Sequence, residues 1–316
     1  PVSGTLPRLE VPMLRFALLP LFVSLVGCTL PPRGNPEFDD ATSFAFLQFD
    51  VQSQADMAFA LRALEKQLYL SVDLDAESAD DRALSPAALT DEQLEGLERP
   101  DRPAANLRAV TVIQDSAFAP EPHRAYIQLA DQLPVEPSSE QFYNRTLADG
   151  GDCWDAKDCE FLRTENDLTK DNILLNIRYD LFKDYRWVDL NLPDPDTVNE
   201  GEEPVNDGEK RWAIAGRSWT KQQWATEDES KWVRQSYSIE VWLPRDGGGY
   251  VRADGDENLS EGTWTHDSRG GGSLRMLTLW GENDLGVDVD EAFEIRTIQN
   301  GIDGIFAAQE AWLGEQ

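Results

Sequence analysis

Residues 173–181 read Ile-Leu-Leu-Asn-Ile-Arg-Tyr-Asp-Leu. Ile173, Leu175, Ile177, Tyr179 and Leu181 alternate with Leu174, Asn176, Arg178 and Asp180. Five apolar residues spaced two apart mark a strand with one face in a core. The same grammar runs on to residue 281. Lys183-Asp184 is expected to turn the chain into a second strand, Tyr185 to Leu190. The acidic stretch 191–209, with three Pro, is a loop. Trp212 to Thr220 and Trp232 to Leu243 are the next strands, the latter with Tyr237, Ile239, Val241 and Leu243 on one face. Asp246-Gly247-Gly248-Gly249 should turn into a hairpin strand, Tyr250 to Arg252. Thr263 to Thr265, a turn at 269–272 and Leu274 to Trp280 complete the β-rich part, 172–281. Short strands joined by turns, with no helix between them, argue for an antiparallel meander.

Helices flank this part. Met57, Leu61, Leu64 and Leu68 form one stripe along Gln54 to Leu70, with Ser53 as N-cap and Asp56 at the third helical position. Thr90 to Leu97 is a short candidate whose Thr90 and Gln93 make a capping box. At the other end, Ile295, Ile298, Ile302, Ile305 and Trp312 stripe a helix over about 290–312, capped by Asp288 or Asp290. Gly301 and Gly304 weaken it by about 1 kcal/mol each relative to Ala. Close approach to a sheet would give a packing reason for them. Ser43 to Val51 (Phe44, Phe46, Phe49), Ala109 to Ile113 and Ala125 to Leu129 read as further strands, and Gln141 to Arg145 leads toward the cysteine loop.

The expected fold is a single α+β domain over 43–316, a twisted antiparallel sheet carrying an early and a long final helix. The order strand, helix, several strands, long final helix resembles the helix-grip arrangement of START-like and polyketide-cyclase-like domains. The resemblance lies in the order of elements alone, and fold does not fix function.

Upstream, Met13 to Cys28 has a short basic start, an apolar run from Phe16 to Val26, and the ending Leu25-Val26-Gly27-Cys28. As a helix the run reaches about 16 Å, short of the roughly 30 Å hydrocarbon core. It reads as the core of a signal peptide. The ending resembles the lipobox of bacterial lipoproteins. That resemblance implies cleavage before Cys28, acylation of its thiol and amino terminus, and anchoring at the cell envelope. Thr29 in place of Asp leans toward the outer membrane. Residues 1–27 would be removed, and 28–42 would form the acylated Cys and a Pro-, Gly- and Asp-rich tether.

Composition narrows the partners. Fifty-nine acidic against 28 basic residues give a formal charge of −31. Such a surface repels phosphate backbones, which argues against nucleic acid. Three Cys are present. With Cys28 taken by the anchor, Cys153 and Cys159 in CWDAKDC are expected to pair in an oxidising compartment.

No Walker loop, H-E-x-x-H, G-x-S-x-G or dinucleotide fingerprint occurs. Ser218 in Gly216-Arg217-Ser218-Trp219 lacks the second Gly of a nucleophile elbow and reads as a strand residue. His123, between Pro122 and Arg124, and His266, beside Asp267, read as loop residues. Asp254-Gly255-Asp256-Glu257-Asn258 opens like an EF-hand loop. Leu259 and Thr265 stand where that loop needs Gly and Glu. Asp284, Asp288 and Asp290, and Asp194, Asp196 and Asp207, are other acidic groupings; none is assigned a metal.

All ten Trp lie beyond residue 153. Tyr185, Trp187, Trp212, Trp219, Trp242 and Trp280 are the residues expected to line a ligand cavity, if the aromatics do more than pack. Trp242 beside Val241 shows that rings fall on both sheet faces. The leading reading is a non-catalytic, membrane-anchored protein binding an apolar ligand or an envelope partner. The alternatives are a carboxylate hydrolase, with or without Ca²⁺, and a structural envelope protein.

Overall fold

Asn176–Asp189 is one unbroken strand, fourteen residues long. The computed structural model describes residues 38–50, 53–71, 86–149, 152–157, 161–171, 176–197, 208–245, 249–251, 263–265 and 271–316. In chain order its elements are α1 (Phe38–Leu47), α2 (Gln54–Ser71), β1 (Arg108–Ser116), α3 (Pro120–Ile127), β2 (Ser139–Asp149), β3 (Leu162–Asp171) and β4 (Asn176–Asp189). Then come β5 (Trp212–Trp219), β6 (Trp224–Ala225), β7 (Trp232–Pro244), β8 (Gly249–Val251), β9 (Thr263–Thr265), β10 (Ser273–Asp284) and α4 (Glu291–Gly314). Among the described residues, no helix is long and apolar enough to cross a membrane.

The main sheet runs β1-β10-β7-β5-β4-β3-β2, antiparallel throughout, with β6 added to β7. It is a meander from β2 to β10, closed by the earliest strand lying beside the last. This is the α+β, helix-grip arrangement expected from the order of elements. β1 and α3 supply its opening strand and helix, not 43–51 and 54–70.

The two faces follow from strand parity. On β7, Tyr237, Ile239, Val241 and Leu243 join Phe44, Phe46, Met57, Leu61, Leu64 and Leu68 of α1 and α2 in one core cluster. On the opposite face, Trp242 and Ile214 pack with Tyr126 and Ile127 of α3 and Leu313 of α4. Val110 and Val112 of β1 meet Ile302 and Phe306 of α4. The early and final helices therefore cover opposite faces of the sheet.

Local signals at the helix ends hold. Ser53 Oγ accepts from the Asp56 amide at 3.1 Å, and the four-residue stripe of α2 is fully buried. Asp290 is the cap of α4, accepting from the amides of Ala292 and Phe293. Thr90 and Gln93 exchange both capping-box bonds. They close a run of turns ending at Gly96 (φ +87°), with no α-helix formed.

Other expectations are corrected. Ser43 to Val51 is not a strand. α1 occupies this stretch and begins at Phe38, inside the segment expected as tether. It buries Ala41, Thr42, Phe44, Ala45 and Phe46, so burial on several sides replaces a single stripe. Ala125 to Leu129 is not a strand either: α3 starts at Pro120, where a missing N–H costs nothing. Lys183-Asp184 makes no turn. The two side chains lie on opposite faces of β4, each in an ion pair. β8 pairs with β9 in a separate two-stranded sheet, not with β7. β2 and β3, unread in the sequence beyond 141–145, form the far side of the main sheet. The pairing of β2 slips at three places: Ser139/Gln141, Phe142/Asn144 and Leu147/Asp149.

Candidate functional site

A cavity of 260 Å³ lies between α4 and the sheet. Its origin is a shortage of side-chain volume. The mid-sheet positions turned toward α4 are Gly216 and Ser218 on β5 and Ser236 and Ser238 on β7. The alternate positions on the same strands, facing α1 and α2, are Trp219, Tyr237, Ile239 and Val241. One face of β5 and β7 is thus filled with large residues and the other is left hollow. α4 spans the hollow with Gly301 and Ile302 in its lining. A Cβ added at Gly301 or Gly304 would meet nothing within 4 Å. The expected packing reason for these glycines, a close approach to the sheet, is therefore absent. Gly216 is the opposite case: a Cβ there would sit 2.9 Å from the Tyr185 ring. Its absence lets the ring lie across β5.

One end of the cavity is closed by aromatic and hydrogen-bonded groups. Trp242 Nε1 donates to Tyr126 Oη at 2.9 Å, and Tyr126 Oη lies 3.0 Å from His123 Nδ1. His123 Nε2 faces Ser116 Oγ at 3.1 Å and the Phe118 carbonyl at 3.3 Å. A carbonyl only accepts, so the proton sits on Nε2 and Nδ1 accepts from Tyr126. His123 is fully buried in α3, not in a loop. Burial, with the Arg275 charge adding to it, pushes its pKa down to about 3.

The other groups are charged. Glu136 lies buried between Lys170 Nζ, at 2.8 Å, and Lys183 Nζ. Burial alone would raise its carboxyl, but the two ammonium groups outweigh that and hold it far below the usual carboxylate range. Glu240 accepts from Arg275 Nη2 at 2.9 Å. Here burial wins over the guanidinium, and the carboxyl is raised. Tyr185 is raised by burial and stays neutral. Each carboxylate that lines the cavity, Glu136, Glu240 and Glu294, is tied to a cation.

The six aromatics singled out in the sequence divide. Tyr185 and Trp242 line the cavity. Trp187 and Trp212 lie on the same sheet face but outside the lining. Trp187 Nε1 donates to the Trp154 carbonyl at 3.0 Å, and Lys157 Nζ stands 5.0 Å and 5.5 Å from the two rings. Trp219 and Trp280 belong to the opposite core, where Phe46 lies 5.6 Å from Trp280. Ser218 is a strand residue of β5 whose hydroxyl meets Ser238 Oγ at 2.7 Å inside the cavity.

Of the acidic groupings, Asp194 pairs with Arg62, Asp284 with Arg234, and Asp290 caps α4. Among the described residues no group of three or more His, Cys, Asp or Glu is placed to hold a metal ion. Cys28, Cys159, Asp207, residues 254–258 and His266 lie outside the described residues. Cys153 lies in the described turn 152–157.

No family model matches the chain. No curated protein matches it either. Among solved structures, TTHA0849 from Thermus thermophilus aligns over 65% of this chain and 96% of its own, at 9% identity and a TM-score of 0.31. Ara h 8.0201 aligns over 66% and 99%, at 9% identity and 0.30. The human StarD13 (DLC2) lipid transfer and protein localization domain aligns over 64% and 77%, at 9% identity and 0.30. Scores this low carry no argument, and the fold rests on the strand order described above.

Apart from Tyr185 and Trp242, the residues that form the cavity were not singled out by sequence reading as lining one. Glu136, Lys183, Ser238 and Glu240 carry no motif. A signal was present in β5, Trp-Ala-Ile-Ala-Gly-Arg-Ser-Trp. Its inner positions on one face shrink to Gly216 and Ser218, while the other face ends in Arg217 and Trp219.

Proposed function

We propose that this protein binds a small apolar ligand in the cavity between α4 and the sheet. The carrying observation is the hollow left by Gly216, Ser218, Ser236 and Ser238 beneath α4. Its 260 Å³ falls just below the roughly 300–1,000 Å³ of small-molecule sites. That suits a compact molecule with one chain or one ring body. The lining mixes apolar side chains with polar and charged ones, Lys183, Ser218, Ser238 and Glu240 among them, and convergent polar groups are what such sites use to orient a ligand. The test is native against denaturing mass spectrometry of the purified full chain, followed by organic extraction. A released small mass is expected. A single unliganded species, with nothing extracted, would refute the reading.

We further propose that acyl chains on Cys28 hold the protein at the bacterial envelope, at the outer membrane. Support comes from Leu25-Val26-Gly27-Cys28 at the end of an apolar run. More than one acyl chain, at about 0.8 kcal/mol per buried CH₂, gives durable binding where one chain is marginal. Cys28→Ala is expected to move the protein out of the membrane fraction; unchanged retention would sink the anchor. The proposed Cys153–Cys159 bridge is tested by thiol labelling of denatured, unreduced protein. Neither cysteine should label, and two labelled thiols would overturn it.

A further inference from the structure

The wall of the cavity built by β3, β4 and the segment before β2 carries more positive than negative charge. Lys170 and Lys183 share the single carboxylate of Glu136. Arg145 lies behind them, donating to Asn166 Oδ1 at 2.6 Å and to the Ile127 carbonyl. Arg275 is held by Glu240 and Gln309. Over the whole lining Lys170, Lys183 and Arg217 stand against Glu136, Glu240 and Glu294, so the positive excess is confined to this one wall, where two ammonium groups meet one carboxylate. Charge withdrawn from water without a counter-ion is costly. A chain with 59 acidic residues is not short of carboxylates to supply one. The local excess of one ammonium on this wall favours an anionic group on a ligand lying against it.

The donors left over point the same way. An ammonium has three N–H groups. Among the described residues Lys183 Nζ gives one to Glu136 and none to any other side chain. Lys183 stands directly opposite Ser218 across β4 and β5, and Ser218 opposite Ser238 across β5 and β7. All three line the cavity and form a polar row on its floor. Leu277, Leu279 and Ile302 line it on the side of β10 and α4.

We propose that the ligand is an amphiphilic carboxylic acid, its carboxylate held by Lys183 and the Ser218 hydroxyl and its apolar body laid along Leu277, Leu279 and Ile302. The assignment rests on the ligand-binding reading above and names the ligand's class. An ammonium beside a hydroxyl favours a carboxylate over an alcohol, since opposite charges attract in addition to sharing a hydrogen bond, most strongly away from bulk water. A cationic amphiphile would meet like charge at the same place.

The test titrates the delipidated full chain, carrying Cys28→Ala, with decanoate, decanol and decylamine by calorimetry at neutral pH. Decanoate is expected to bind at least tenfold more tightly than decanol, and decylamine least. Lys183→Met should abolish the preference for decanoate over decanol, while Lys183→Arg retains it. Should Lys183→Met fail to fold, Ser218→Ala, which adds no volume to the hollow, carries the test, with the preference for decanoate over decanol reduced. Equal binding of decanoate and decanol, or an unchanged preference in Lys183→Met, would overturn the head-group assignment and leave the cavity reading standing. Binding of none of the three would overturn both.

Discussion

Replacing Glu136 by Ala should lower the unfolding free energy by about 3–5 kcal/mol, the range for removing one partner of a buried ion pair. Glu136 is 4% exposed and is the shared partner of Lys170 on β3 and Lys183 on β4. It approaches from the segment that leads into β2, so the carboxylate pins three pieces of backbone. Removing it leaves two ammonium groups in a poorly solvated wall with no carboxylate opposite them, Lys170 keeping only the Ser138 hydroxyl. An exposed pair would lose only about 0–1 kcal/mol on the same change. Urea unfolding of the two proteins decides between these magnitudes. A loss below about 1 kcal/mol would mean that the wall is effectively in water. The folded-state carboxyl is held below its unfolded value. Its contribution is therefore present above the unfolded pKa and is lost as pH falls through the folded one.

Acid should weaken the fold before ordinary carboxylates titrate. His123 has a folded pKa of about 3, against the model-peptide 6.5 that applies when unfolded. Between these values the unfolded chain holds a proton that the folded chain refuses. Stability is then full above pH 6.5 and falls by about 1.4 kcal/mol per unit below it. From pH 6.5 to 5 the expected loss is about 2 kcal/mol. His123→Gln has nothing to protonate and should flatten this part of the profile. Denaturant midpoints at half-unit steps of pH measure it; equal slopes in parent and variant would refute the role given to His123.

The sequence was informative where an element has one wet and one dry side. α2, β4 up to Leu181 and α4 fall in that class, and their stripes were readable; β7, with Trp242 buried on its second face, was readable only because its first face is uniformly apolar. Legibility failed where both sides are buried or both are polar. α1 is buried around much of its girth, so Phe44, Phe46 and Phe49 mimicked a strand. The second half of β4 is buried on both faces from Asp184 to Asp189. There two adjacent charges looked like a turn. Asp184 is in fact held by Arg163 at 2.7 Å and Arg217 at 3.0 Å, on the side away from Lys183. β2 has little apolar alternation to reveal it. The final stripe of α4 missed Phe306, Gln309 and Leu313, which are buried, and included Ile305, which lines the cavity. The cavity itself is an absence of volume, and absence shows only when two strands are laid side by side in register.

The three slips along β2 bear on what happens when many copies crowd together. β2 is the outer strand of an eight-stranded sheet, and a straight outer strand is a template that a second chain can copy. A newcomer laid against β2 would fall out of step within a few residues. Each irregularity also adds local twist and turns the strand away from a flat partner. Polymerisation through this margin is thereby disfavoured by geometry.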